Sequence, residues 1–100
     1  MALCSTTAMA QMTTQQVMDA KGTAPARMYL IGLGHGIQAA NVLMNSKGKG
    51  RFYCVSPGFS LVGDQYVSIF EQFIAKNPRL RPEPPQAVMM LALQDAFPCQ

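Results

Sequence analysis

The sequence predicts an all-α protein, a small single-domain bundle of about four helices closed by one disulfide. Apolar residues recur at three- and four-residue spacing in several segments, and no segment has convincing strand alternation. Cys54 and Cys99 bracket two of these helical patterns, so a bond between them would clasp a helical hairpin. The chain has 100 residues, of which 49% are hydrophobic and 13% are charged. That length suits one small domain and is too short for two.

The first two helices are predicted from the residues at their starts. Thr13 and Gln16 have the spacing of a capping box, and Gly22 is expected to end the short helix that they begin. Pro25 suits the first turn of a second helix, whose apolar residues spread over more than one face. This distribution predicts a central helix that is buried on several sides.

Two glycines inside the second helix need a structural reason. Gly32 and Gly36 lie four residues apart and therefore share a face of the helix. A glycine in a helix interior costs about 1 kcal/mol relative to alanine. We therefore expect another backbone to approach closely at this face. A loop rich in glycine and lysine, residues 45–50, follows the helix.

The third and fourth helices form the hairpin. Ser60 is the predicted N-cap of the third helix, and Asn77 with Pro78 ends it. A proline-rich connector, residues 79–85, cannot be helical throughout, and Pro84 or Pro85 opens the fourth helix. The spacing predicts that the inward face of the third helix consists of Tyr66, Val67, Phe70, Phe73 and Ile74.

The first ten residues carry no charge and end in Ala8-Met9-Ala10, which fits the small-x-small pattern of a signal peptidase site. We interpret residues 1–10 as the remnant of a signal peptide, or else as a disordered N-terminus. Residues 11–100 then form the helical domain. Removal of the leader would also remove Cys4 and leave an even pair of cysteines.

The remaining cysteines are best interpreted as a structural disulfide. Cys54 and Cys99 have no neighbouring histidines, so they make a poor zinc site. The chain has no C-x-x-C redox motif. A disulfide persists in oxidising compartments, so this interpretation predicts an exported protein.

No residue pattern indicates an enzyme, a cofactor site or a metal site. The glycines around His35 lack the spacing and the preceding strand of a dinucleotide-binding turn. His35 is the only histidine and is expected to be a helix-surface or partly buried polar residue. The chain has no nucleophile-elbow motif, and its five acidic residues are dispersed.

Two small groups of basic residues are the candidate partner-binding sites. The formal net charge is +3, which is too low and too scattered for a nucleic-acid binder. No apolar run reaches the roughly 20 residues that membrane insertion requires. We expect the basic groups to contact an acidic surface of another protein. They consist of Lys47, Lys49 and Arg51 in one loop, and of Arg79 and Arg81 in the connector.

An ordered series of short motifs resembles the Rap/Tai family, the immunity proteins of bacterial type VI secretion systems. The resemblance runs from Tyr29 to Cys99, about seven tenths of the chain. It is carried by Tyr29-Leu30-Ile31-Gly32 with Gly36 and Asn41, Phe52-Tyr53-Cys54-Val55-Ser56-Pro57, Asp64-Gln65-Tyr66-Val67, Phe73-Ile74-Ala75-Lys76-Asn77-Pro78 and Ala92-Leu93-Gln94-Asp95-Ala96-Phe97-Pro98-Cys99.

The resemblance implies a helical periplasmic protein that binds and inhibits a peptidoglycan amidase toxin, and it implies a homodimer. Family members often carry a further cysteine pair near the first helix, which residues 21–28 lack. Two alternatives remain: a periplasmic acid-stress chaperone, and another small helical periplasmic binding protein.

Overall fold

The computed structural model describes residues 12–100 and contains four α-helices. Helix α1 spans Thr14–Asp19, α2 spans Ala24–Ser46, α3 spans Gly63–Lys76 and α4 spans Pro85–Ala96. A short 3-10 helix, Pro78–Leu80, lies between α3 and α4, and residues 12–100 include no strand. The predicted all-α fold is confirmed. The predicted leader, residues 1–10, lies outside the described residues.

Helix α1 begins with the predicted capping box. The Thr13 backbone N–H donates to Gln16 Oε1 at 2.8 Å, and the Gln16 backbone N–H donates to Thr13 Oγ1 at 3.2 Å. These two bonds satisfy backbone donors that a helix start otherwise leaves unpaired. The helix ends at Asp19, short of Gly22, which lies in the turn that leads into α2.

Helix α3 begins later than the sequence predicted. Ser60 does not cap it; Val62 occupies the N-cap position in an extended conformation. The Val62 backbone N–H donates to Gln65 Oε1 at 2.7 Å. Leu61 is buried just before the helix. The chain therefore stays extended until Leu61 has reached the core, and Gln65 then supplies the cap that Ser60 was expected to supply.

The core lies between α3 and α4 and is covered by α2. The predicted inward face of α3 is confirmed for four of its five residues, since Phe73 is only half-buried. Each fully buried side chain of this size contributes about 1.5–3 kcal/mol relative to an exposed one. The largest fully buried apolar residues of the three helices are Leu30, Tyr66, Phe70, Ile74, Val88, Met89 and Leu93.

Close approach of α2 and α3 depends on Gly34, and not on the glycines that the sequence singled out. A Cβ atom at Gly34 would overlap the Tyr66 ring, whereas Gly32 and Gly36 have no atom within 4 Å of that position. The ring of Tyr66 is fully buried against this notch. The approaching group is therefore an aromatic side chain, and the expectation for Gly32 and Gly36 was wrong within this chain.

The predicted disulfide is present between Cys54 and Cys99, which are 45 residues apart. The Cys54 backbone N–H also donates to the Phe97 carbonyl at 2.8 Å, so two bonds fasten the loop before α3 to the segment after α4. Closing a loop of this length removes conformational entropy from the unfolded chain. The chain-entropy model gives about 4 kcal/mol of stabilisation.

Asn41 ties α2 to the same loop. Its Nδ2 donates to the Tyr53 carbonyl at 3.0 Å, and its Oδ1 accepts from the Phe52 backbone N–H at 2.6 Å. Asn41 is buried, with 8% of its surface exposed. The side chain thus pairs two backbone groups that have no strand or helix neighbour. This tie holds the Phe52–Tyr53 segment beside α2.

We predict opposite effects for alanine at two glycines of α2. Gly34→Ala forces the buried Tyr66 ring to move and should cost about 1–3 kcal/mol, as overpacking does in a dense core. Gly36→Ala is the matched control within one chain: its Cβ meets no atom of the same chain, and the higher helix propensity of alanine stabilises the monomer by up to about 1 kcal/mol. Thermal unfolding followed by circular dichroism measures both changes, and equal melting temperatures would contradict the packing described here.

We also predict that Asn41→Ala destabilises the protein by about 2–4 kcal/mol, because it leaves a part-buried N–H and a buried C=O without partners. Asn45→Ala, on the same helix but exposed, should stay within about 0.5 kcal/mol of the parent. Urea unfolding gives the free energies. Amide exchange at Phe52 should accelerate in the Asn41 variant alone, and unchanged exchange would argue against the tie.

Candidate partner-binding surface

The basic turn, defined as residues 47–51, follows the C-terminal end of α2. Lys47, Lys49 and Arg51 are all exposed. Gly48 and Gly50 have φ values of 74° and 86°, in the left-handed region that glycine adopts without strain. Two such residues reverse the chain within a few positions. The turn therefore presents three cations over a short stretch of backbone.

A concave site, which we call the α2 cleft, lies between the C-terminal half of α2 and the loop that the disulfide fastens. Its volume is about 240 Å³. Polar groups from both elements meet apolar groups from the loop. The lining consists of Gln38, Asn41, Val42, Asn45, Arg51, Tyr53, Val55, Phe59 and Leu61.

Aromatic contacts hold the loop side of the α2 cleft. The Phe97 ring lies 6.5 Å from the Tyr53 ring and 6.1 Å from the Phe59 ring, centroid to centroid. Phe97 is itself held by its carbonyl bond to Cys54, next to the disulfide. The wall of the cleft thus depends on contacts between the loop and the end of α4, in addition to the Asn41 tie.

The lining of the α2 cleft contains a single charged side chain, which is a cation. Burial raises the pKa of Tyr53 to about 12, and the nearby Tyr66 adds to the rise. Arg51 is the one charged residue in the lining. Among residues 12–100 the ion pairs are Arg27–Asp64 and Lys76–Asp95, and neither involves the basic turn. The cleft and the turn together carry uncompensated positive charge.

The second predicted basic group lies elsewhere on the molecule. Arg79 is exposed within the 3-10 helix, and Arg81 follows it. Arg81 Nη1 donates to Gln15 Oε1 at 3.2 Å, and the Gln15 backbone N–H donates to the Arg81 carbonyl at 2.9 Å. Arg81 therefore fastens the connector to α1, which lies next to the N-terminal end of α2, whereas the basic turn lies at the opposite end of this 23-residue helix. The two groups do not form one cluster.

Helix α2 leaves a second surface uncovered, and the prediction that it is buried on several sides was wrong. Met28, Val42 and Leu43 are 71%, 62% and 55% exposed. Helical spacing places Met28 and Leu43 on the face opposite buried Leu30 and Asn41, whereas Val42 lies at the edge of that face, beside the α2 cleft that it also lines. Gly32 and Gly36 lie on this same face with open space above them. We call this surface the open face of α2.

His35 lies on α2 and is exposed, which is one of the two placements that the sequence allowed. Its ring meets the Tyr66 ring edge-on, with 5.4 Å between centroids. Within residues 12–100 no group of three histidine, cysteine or acidic side chains is arranged to hold a metal ion. In the same part of the chain, no helix has the length and hydropathy needed to cross a membrane.

The sequence predicted the exposed cations of the basic turn, but it predicted neither the α2 cleft nor the open face of α2. The cleft combines side chains from two segments whose contact is set by Asn41 and the disulfide. Asn41 stands in the sequence as one asparagine among helical residues, with no local signal of its role. The open face did have a sequence signal, namely apolar residues on more than one face of α2. We interpreted this pattern as burial on several sides, but a helix with one exposed apolar side has the same pattern.

Comparison with known proteins gives one match. The family model of Rap1a immunity proteins matches residues 1–99. Searches of curated proteins and of solved structures found no significant match to the chain. The family model covers almost the whole sequence and agrees with the resemblance noted above. The chain therefore belongs to the Rap1a immunity protein family, whose members protect against bacterial effectors by binding a toxin protein.

Proposed function

We propose that this protein is a periplasmic immunity protein that binds and inhibits a peptidoglycan amidase effector of type VI secretion. The observation that carries the proposal is the match of the Rap1a immunity model to residues 1–99. The role is inhibitory and requires no catalytic group or cofactor of its own. In this proposal residues 1–10 belong to the export signal and residues 11–100 form the mature domain.

The disulfide supports the proposed location. Such bonds form and persist in the bacterial periplasm and are rare in the cytosol. Cys54 and Cys99 are joined, and about 4 kcal/mol of stabilisation is a large share of the 5–15 kcal/mol typical of a whole domain. A protein with this dependence suits an oxidising compartment, which is also where a cell-wall amidase acts.

The basic turn supports a role in capturing the effector. Unpaired surface cations accelerate association with an acidic partner more than they increase affinity. Lys47, Lys49 and Arg51 are exposed and unpaired within the described residues. Arg79 adds a second exposed cation, while the bond from Arg81 to Gln15 gives Arg81 a structural part as well.

The open face of α2 supports a homodimer. A helix face whose large apolar side chains are exposed is a candidate interaction surface. Met28 and Leu43 provide that surface, and the open space above Gly32 and Gly36 admits a second helix at close range. A second copy of α2 offers the same apolar residues and the same gaps, so the face is self-complementary, as a two-fold interface requires.

We predict that the purified protein blocks peptidoglycan cleavage by an amidase effector from the same genome. Replacing Lys47, Lys49 and Arg51 with serine should slow association about tenfold at low salt and less at high salt, because steering charges are lost. The control exchanges lysine for arginine and arginine for lysine at the same positions and should keep the parental rate. Stopped-flow association and turbidity loss of cell walls measure these effects.

Failure to inhibit any such amidase, combined with protection of client proteins from aggregation in acid but not at neutral pH, would contradict immunity and support the acid-stress chaperone.

We predict that the parent chain has twice the monomer mass in light scattering, and that Leu43→Lys shifts it to the monomer. A lysine at position 43 of the open face would be buried without a partner in the dimer, which costs several kcal/mol. Gln94→Lys is the control, since Gln94 is exposed on α4 and lies outside this face. A parent chain that is monomeric at about 100 µM, a concentration far above a micromolar dissociation constant, would rule out the dimer.

A further inference from the structure

The α2 cleft has more hydrogen-bond donors available than acceptors. Gln38 Oε1 accepts from the Tyr66 hydroxyl at 3.2 Å, which leaves the Gln38 amide N–H groups for a ligand. Both ends of the Asn41 amide are occupied by the loop backbone. Asn45 has no side-chain bond within the described residues, and the Arg51 guanidinium has no ion-pair partner there. The available groups thus favour an acceptor ligand.

The charge of the α2 cleft selects the kind of acceptor. No acidic residue lines it, and the phenol of Tyr53 is neutral at physiological pH, as tyrosine side chains ordinarily are. Arg51 therefore has no internal anion to neutralise it. A guanidinium binds a carboxylate with two parallel, charge-assisted hydrogen bonds, which are stronger than bonds between neutral groups. An anionic carboxylate satisfies this site better than a neutral carbonyl.

The size and apolar wall of the α2 cleft limit the occupant further. A volume of about 240 Å³ is below the 300–1,000 Å³ typical of pockets for cofactors and drug-sized ligands. One or two side chains fit. Phe59 is 47% exposed and Val42 is 62% exposed, so apolar surface lies beside the polar groups. A carboxylate with an apolar neighbour in sequence matches both parts of the lining.

We propose that the α2 cleft binds an acidic side chain of the effector together with the apolar residue next to it. Arg51 holds the carboxylate, Gln38 and Asn45 donate to it, and the apolar neighbour covers Phe59 and Val42. The assignment of this occupant to the effector rests on the proposed immunity function. The preference of the cleft for a carboxylate does not, since it follows from the donors, the charge and the volume of the cleft.

The first experiment tests the cleft without the effector. The ¹⁵N-labelled protein is titrated with two blocked hexapeptides, one containing glutamate followed by phenylalanine and the other containing glutamine followed by phenylalanine. The expected result is a set of shifts at the side-chain amides of Gln38 and Asn45 and at Nε of Arg51, with a millimolar dissociation constant. The glutamine peptide should bind about tenfold more weakly, because the charge-assisted bonds are lost.

Matched variants assign the preference to Arg51. Arg51→Gln should remove the difference between the two peptides, and Arg79→Gln, which removes the same charge from an exposed site outside the cleft, should retain it. Melting curves check that both variants are folded. Equal binding of the two peptides by the parent chain, shifts that map away from the cleft, or no shifts at about 10 mM peptide, ten times the expected dissociation constant, would each overturn the proposal.

The second experiment tests the effector. Arg51→Gln should weaken inhibition of the amidase about tenfold at low salt, and Arg79→Gln should weaken it less. Unchanged inhibition by the Arg51 variant would overturn the assignment of the cleft to effector recognition. A parent chain that binds the glutamate peptide but inhibits no amidase would instead refute the immunity function. The two failures are therefore distinguishable.

Discussion

The bond between Cys54 and Cys99 is the constraint on which the rest of the structure depends. It closes a segment that contains both α3 and α4, and the adjacent hydrogen bond from Cys54 to the Phe97 carbonyl fixes the same junction a second time. The long loop between α2 and α3 contributes few large buried residues apart from Tyr53 and Leu61. Packing alone therefore gives this loop little stability. The disulfide both stabilises the hairpin and brings Phe97 against Tyr53 and Phe59, which form the loop side of the α2 cleft.

Helix α2 organises the molecule because its faces have different roles. Leu30 and Gly34 face the core, where the missing side chain of Gly34 admits the Tyr66 ring. The neighbouring face carries Gln38 and Asn45 and lines the cleft. The opposite face, around Leu43, is apolar and exposed. One uninterrupted helix thus connects the core to two surfaces that adjoin at Val42, and its rigidity fixes their relative positions.

Local signals in the sequence predicted local structure well. The capping box at Thr13, the proline that opens α4 and the cysteine pair each act through neighbours or through simple pairing, and all three were confirmed. The errors came from long-range packing. Ser60 does not cap α3, because burial of Leu61 keeps the chain extended up to Val62. Gly34, and not Gly32, is the glycine that permits close packing in α2, because the Tyr66 ring packs against it. No local pattern contains that information.

The polar residues along the cleft side of α2 differ in how much of their hydrogen-bonding capacity the fold itself uses. Both ends of the Asn41 amide are hydrogen-bonded to the loop backbone, so the role of Asn41 is to hold the loop beside α2. Gln38 gives its oxygen to Tyr66 and keeps its N–H groups. Asn45 and Arg51 are exposed and have no such bond within the described residues. Substitutions at the last two positions can therefore change recognition with little effect on folding, whereas a change at Asn41 alters both. A small disulfide-bonded domain can in this way keep one core while its binding surface diverges.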